Sequence, residues 1–259
     1  MRKTPVLKLD RSPLIFSLAQ VRFAPVLKMK DYVPDLQEVI RKEGFPKFQA
    51  QQVQQMILGP QVQIEQSFRW VFSSPDSHEA VVLTNDFLVY ETSQYDVFET
   101  FTAKLKKFLA LIERTVGVSL TERIGLRYVD LLRPSEGRQA ADFLRPGLRG
   151  LSAESIGAHS LLEHFYIQAK SPYGDLLIRA MGTNDGRFMP PDLASTELTF
   201  DISAAPGQNL VILDFDHTAP GGKFDPDAII ATMWNLHETT ERAFRAAVTE
   251  EAIDYWKTK

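Results

Sequence analysis

"LVILDFDHTAPGG", Leu210 to Gly222, is the stretch on whose reading the fold turns. Four aliphatic residues lead into Asp214, Phe215, Asp216, His217 and Thr218. One reading is a buried strand that delivers two carboxylates to the carboxyl end of a parallel sheet, where acids attack substrates and hold magnesium. The other is an alternating strand of an antiparallel sheet. Asp214 and Asp216 then share a polar face, opposite Val211, Leu213 and Phe215. In that case "HTAPGGKFDPD" is a turn into a helix, with Asp225 as N-cap and Pro226 at the first helical position.

The surrounding chain chooses the second reading. An Asp-x-Asp-x-Thr pattern opens the haloacid-dehalogenase-type phosphatases, in which the first Asp attacks phosphorus and the second works as acid and base. That fold needs further parallel strands and helices downstream, carrying a Ser or Thr, a Lys and an acidic pair. After His217 there is room for one helix, Asp225–Val248, and Lys257 and Thr258 fall at the end of the chain, where residues fray. No upstream segment shows the strand–helix alternation of a parallel sheet. The motif is the meeting of a strand end with a helix entry.

Working outward, Pro13–Phe23 alternates as a strand and Asp31–Gly44 places Val33, Leu36, Val39 and Ile40 at helical spacing. From Gln61 the period is two again, with Ile64, Phe68, Trp70 and Phe72 apolar. "EAVVLTNDFLVYET" is a pair of short strands about Asn85-Asp86. Asp96–Val116 is a long amphipathic helix. The second half replays this order. Leu120–Leu132 is a strand, Arg138–Leu148 a short helix, His159–Ala169 and Asp175–Met181 a strand pair, Thr196–Ser203 and Asn209–His217 another, and Asp225–Val248 the closing helix. Gly182–Ser195 reads as a long polar, Pro-rich loop.

The expected fold is therefore α+β: a duplicated strand–helix–strands–helix unit, with antiparallel curved sheet or sheets backed by two long helices about a pseudo-two-fold axis. The repeats are residues 1–117 and 118–259, joined near Gly117 and packed as one compact domain.

The chain has 259 residues, 44% of them hydrophobic and 24% charged, with a formal net charge of -4, which gives no overall pull toward nucleic acid or acidic lipid. It has no cysteine, which excludes disulfides, thiolate metal sites and a cysteine nucleophile. No stretch reaches bilayer-spanning length. The N-terminus lacks the apolar core of a signal peptide, so a cytoplasmic protein is expected.

"PLIFSLAQVRF" at Pro13–Phe23, "FRWVF" at Phe68–Phe72, "YDVFETF" at Tyr95–Phe101, "ERIGLRYVDLL" at Glu122–Leu132 and the closing "LHETTERAF…VTEEAIDYW" occur in that order. In these the chain resembles a sporadically distributed bacterial family of about this length with no assigned activity. The resemblance spans nearly the whole chain and brings no cofactor or catalytic residue. Its patchy distribution implies an association with mobile-element or defence-related genes.

Candidate binding residues come from the strands. In "RIGLRYVD", Arg123, Gly125 and Arg127 share a face, and two guanidiniums flanking a glycine suit a carboxylate or phosphate. The competing expectation is that Arg123 and Arg127 pair with acids on neighbouring strands, such as Glu65, Glu163 or Asp214. Arg69, Asp214 and Asp216 complete the candidate set. His159 and His164 lie on opposite strand faces and make no joint metal site. His237 reads as a hydrogen-bonded core histidine, and Trp70 and Trp234 as core.

The leading expectation is a non-catalytic binding module, with a small anionic ligand or a protein partner in the cleft between repeats and no cofactor. GyrI-like ligand-binding domains and SOUL-type haem proteins are analogies of fold only. The alternative is a metal-dependent hydrolase using Asp214, Asp216 and Glu163. Nucleic acid is disfavoured, since only Arg22, Arg69, Arg123, Arg127 and Arg179 would supply a basic face.

Overall fold

The computed structural model describes residues 9–57, 63–135, 137–150, 157, 163–193 and 196–257. In chain order the main elements are β1 (Leu14–Phe23), α1 (Met29–Lys42), β2 (Lys47–Ile57), β3 (Gln63–Ser73), β4 (Glu79–Leu83), β5 (Phe87–Thr92) and α2 (Phe98–Val116). They continue with β6 (Leu120–Leu132), β7 (Glu163–Lys170), β8 (Asp175–Thr183), β9 (Leu210–Lys223), α3 (Pro226–Ala247) and α4 (Glu250–Lys257). The strands form one nine-stranded sheet in the order β2-β3-β4-β5-β1-β6-β9-β8-β7, and every neighbouring pair is antiparallel. The sheet is continuous across Gly117, because β1 and β6 pair directly from Leu14↔Asp130 to Phe23↔Thr121.

Alternation gives the sheet two apolar faces. On one, Ala19, Val21 and Phe23 of β1, Leu88 and Tyr90 of β5, and Leu126 and Tyr128 of β6 share a core with Leu36 of α1, Leu105 of α2 and Met233 of α3. The α2 stripe Phe98, Phe101, Leu105, Phe108, Leu109 and Ile112 is buried as its spacing requires. That helix stops at Gly117, whose φ of 73° is left-handed and whose N–H bonds to the Glu113 carbonyl. On the other face, Phe16, Val82, Val89, Val129, Leu131, Met181 and Ile212 meet Met189 and Leu198, with Phe188, Leu193, Phe200 and Ile202 packed against them. The chain between β8 and β9 is thus a strap laid over this face. A third cluster joins Leu213 and Phe215 of β9 to Phe143, Val248 and Trp256.

The entry into α3 follows expectation: Asp225 Oδ1 accepts from the N–H groups of Asp227 and Ala228 at 2.9 and 3.2 Å, with Pro226 opening the helix. The strand before it is longer than expected. It does not turn at His217 but runs to Lys223, pairing Arg123↔Pro220 and Thr121↔Gly222. A Cβ at Gly221 would lie 1.9 Å from the Thr121 carbonyl oxygen, so the glycine lets this strand pass close to β6.

Four further expectations are corrected. Thr196–Ser203 is not a strand; its described backbone joins no ladder, and Leu198, Phe200 and Ile202 alternate because they press onto the sheet as part of the strap. Arg138–Leu148 is two 3-10 turns, Ala140–Phe143 and Pro146–Leu148, interrupted where the proline halts the first. β2 has no counterpart in the expected elements, and neither has α4, which is anchored by buried Trp256 and Ala252 and takes in Lys257, expected to fray; Thr258 lies outside the described residues. No helix among the described residues is long and apolar enough to cross a membrane.

Candidate functional site

The strap face carries most of the residues nominated from sequence. The β6–β9 register sets Val129 opposite Asp214 and Arg127 opposite Asp216. Arg127 reaches diagonally to Asp214, with Nε donating to Oδ1 at 2.9 Å and Nη2 to Oδ2 at 3.0 Å. The β8–β9 register brings Arg179 directly opposite Asp214, and its Nε donates to Oδ2 at 2.7 Å. Asp192, on the strap, caps the pair. It accepts from Arg127 Nη1 at 2.7 Å and Nη2 at 3.1 Å and lies 3.4 Å from Arg179 Nη2.

The electrostatics follow from this pairing. Asp214 is fully buried, and Arg127 is nearly so. Burial works to lower the Arg127 pKa, but its bonds to Asp214 and Asp192 win and hold it above the ordinary guanidinium value. Partial burial pushes Asp192 up, and the two arginines overcome it, holding its pKa at about 2. Arg127 has every nitrogen engaged by an aspartate. The geometry matches the expected cross-strand pairing with Asp214, and an external anion here competes with Asp192.

The other nominated residues separate. Arg123 donates to Gln20 Oε1 at 2.6 Å. Asp216, half-buried beside the cluster, has no hydrogen bond among the described residues; burial raises its pKa, against the pull of Arg127. Arg69 sits on β3, four strands from β6, which at about 4.8 Å per strand is roughly 19 Å. Its charge acts on buried Glu91 instead. Glu163 pairs in register with Gly182, two strands from β9 and three residues along β8 from the Arg179–Asp214 pair. The Glu163 side chain, His159 and the Glu65 side chain lie outside the described residues. Among those described, no three His, Asp or Glu side chains are grouped to hold a metal ion. Arg22 is taken by Asp86 at 2.5 Å, so three of the five arginines considered for a basic face, Arg22, Arg127 and Arg179, are in ion pairs with neighbouring aspartates.

The opposite face holds a site that was not nominated. A cavity of about 270 Å³ lies between Leu9–Leu14, the entry to α2, the inward side of α3 and the centre of β6. Its walls include Tyr95, Phe98, Tyr128, Trp234 and Phe244. Phe98 holds them together, edge-on to Trp234 at 4.7 Å between centroids and stacked on His237 at 4.0 Å. Tyr128 Oη and His237 Nδ1 share a hydrogen bond of 2.9 Å. Burial lowers the His237 pKa to about 4, so this imidazole is neutral at neutral pH. Four carboxylates also line the cavity, Asp96, Glu99, Asp130 and Glu241, and no lysine or arginine does.

Asp130 is the exceptional member. It is 4% exposed, and among the described residues it has neither a hydrogen bond nor an ion pair. Burial, reinforced by the charge of Asp214 on the other face, raises its pKa well above the carboxylate range. Glu241, by contrast, is tied to Arg245 at 2.7 Å. Among the described residues, the side-chain atoms sealed from solvent without a partner are Ser17 Oγ and Thr121 Oγ1, whereas the Asp130 carboxyl opens on the cavity, where a donor on an occupant would offset the cost of its burial.

One sequence signal pointed here. Asp130 has the parity of Ile124, Leu126 and Tyr128, an acid on the apolar side of its strand. His237 makes a hydrogen bond as expected, to Tyr128, and Trp234 packs against the core, but both are partly buried and also face the cavity. A larger cavity, about 440 Å³, lies beyond Leu14 between the strap and α4, lined in part by Arg11, Arg133, Asp201 and Tyr255. Comparison with known proteins finds no matching family model, curated protein or solved structure.

Proposed function

We propose that the protein is a non-catalytic binding module whose small-molecule ligand occupies the aromatic cavity between α2, α3 and β6. The observation that carries this reading is Asp130, a buried carboxyl without a partner in the wall of a cavity large enough for a ligand. The walls come from both halves of the chain: Tyr95–Glu99 from the first, and Tyr128, Trp234 and Glu241 from the second. That supports a ligand held between two repeats. The strand order supports the repeat itself, since β1 and β6 lie side by side, with the β2–β5 meander beyond one and β7–β9 beyond the other.

The arginine cluster fits a structural role better than a ligand site, because its donors are used internally. The same pairing weighs against a hydrolase built on Asp214, Asp216 and Glu163, as a metal ion would have to displace two guanidiniums from Asp214. A protein partner is the second reading. It is favoured by the outer strand β7, where Tyr166 and Ile167 are exposed at the end of the sheet.

Native mass spectrometry of the protein purified from its own host tests the proposal. A small mass retained on gentle desolvation and lost on harsh desolvation is expected, and Val97→Trp, which places a ring at the cavity wall, should abolish it. A small mass that survives Val97→Trp would place the ligand elsewhere, and a retained protein mass would favour the partner reading.

A further inference from the structure

We infer that the ligand of this cavity is a small organic cation, an amine seated on Asp130 with an apolar body among Tyr95, Phe98, Trp234 and Phe244; this rests on the cavity being the binding site. Three observations converge on that class. Four acids and no lysine or arginine among the described residues face the cavity, and His237 there is neutral at neutral pH, so an ammonium meets no like charge in its walls. Indole and phenol faces stand in its walls, and these attract cations through their quadrupoles, Trp most strongly. Asp130 is buried, unpartnered and aimed into the space, so one charge-assisted hydrogen bond from an ammonium satisfies it. An anion would meet Asp96, Glu99 and Glu241 there, while arginines line other cavities, Arg11 and Arg133 in one and Arg149 in another.

The class carries a proton signature. Burial favours the protonated form of Asp130 in the free protein. An ammonium on that carboxyl favours the carboxylate, so the proton leaves to solvent as the cation binds. Affinity for the cation therefore rises with pH, by up to about tenfold per unit while Asp130 is protonated in the free protein. A neutral ligand of the same shape releases no proton and shows no such rise.

The experiment is calorimetric titration of the full chain with three probes of matched body, phenethylammonium, 2-phenylethanol and 3-phenylpropionate, at pH 6 and pH 8. Titrations in two buffers of different ionisation enthalpy count the protons released. Phenethylammonium is expected to bind at least about tenfold more tightly than 2-phenylethanol at pH 8 and to release a proton at pH 6, where the raised Asp130 pKa favours the protonated carboxyl. The advantage should shrink at pH 6, and 3-phenylpropionate should not bind this cavity. Asp130→Asn should remove both the advantage and the proton release. If that variant does not fold, Trp234→Leu serves instead, weakening the ammonium more than the alcohol. Equal binding of ammonium and alcohol, or preference for the propionate, overturns the cation class while leaving the cavity as the site. Failure of both ammonium and alcohol to bind at millimolar concentration overturns the site itself.

Discussion

Asp130 and Asp214 sit almost back to back on the central strands β6 and β9, both buried, one on each face of the sheet. On the strap face, Asp214 receives two arginines, and a second aspartate completes the charge balance. On the helix face, Asp130 receives nothing, and its neighbours across the cavity are acids and aromatic rings. Burial is the same; partnership differs. A buried carboxylate that is paired fixes three strands and a strap in register, whereas one left unpaired is a cost the fold carries for some other reason. The comparison separates framework from site more sharply than either burial or charge alone.

The largest effect that tests this contrast is on stability. Asp214→Asn leaves two guanidiniums without their shared carboxylate, and breaking such a buried pair should cost about 3–5 kcal/mol. Asp130→Asn removes a carboxyl that has no partner to lose and should leave stability at neutral pH equal or higher. Urea denaturation of the two variants beside the wild type reads both. A small loss for Asp214→Asn, or a large one for Asp130→Asn, would break the comparison.

The next effect is the pH dependence of that stability. The folded pKa of Asp130 lies above its unfolded value near 4. The native state therefore holds the extra proton, and stability falls as pH rises above about 4 until the folded pKa is passed, by up to about 1.4 kcal/mol per unit. Asp216 and Glu91 are also raised by burial and contribute slopes of the same sign. The difference between wild type and Asp130→Asn isolates the one group. Denaturation midpoints from pH 4 to 8 should fall more steeply for the wild type, and parallel curves would mean that Asp130 has a partner after all.

Much of the framework was legible because it rests on periodicity. The α2 stripe, the Asp225 cap and the β6 alternation each follow from local sequence; Asp214 is one of three acids that the sequence offers as partners for Arg127, and only the β6–β9 pairing selects it. β2 was not legible. "KFQAQQVQQMI" has five glutamines in eleven residues, without an apolar alternation to mark a strand, and it pairs only with β3 at the sheet's edge. The strap misled in the opposite way: Leu198, Phe200 and Ile202 have strand spacing, and an extended segment lying on a sheet alternates as a strand does without joining it. The cavity was hidden because Tyr95, Asp130 and Trp234 come from distant elements, and only the packing of α2 and α3 on the sheet brings them together.

The smallest effect concerns Asp192, the one member of the ion cluster that no strand positions. Its side chain is 52% exposed, so solvent screens its bonds to Arg127 and Arg179, and Asp192→Ala should cost only about 1 kcal/mol. The sign of its pH dependence is opposite to that of Asp130. Its folded pKa, about 2, lies below the unfolded value, so its contribution is present above about pH 4 and fades as pH falls toward 2. Salt should shrink this contribution while leaving that of the Arg127–Asp214 pair nearly intact. Hydrogen exchange gives the local readout. Amides of residues 196–204, which cross the sheet on this strap, should exchange faster in Asp192→Ala, while those of β9 stay protected. If β9 loosens as well, Asp192 belongs to the framework as fully as Asp214 does. If neither changes, the strap is held by Leu198, Phe200 and Ile202 together with its hydrogen bonds to Ser77, Glu91 and Ser93, and the fourth charge of the cluster is dispensable.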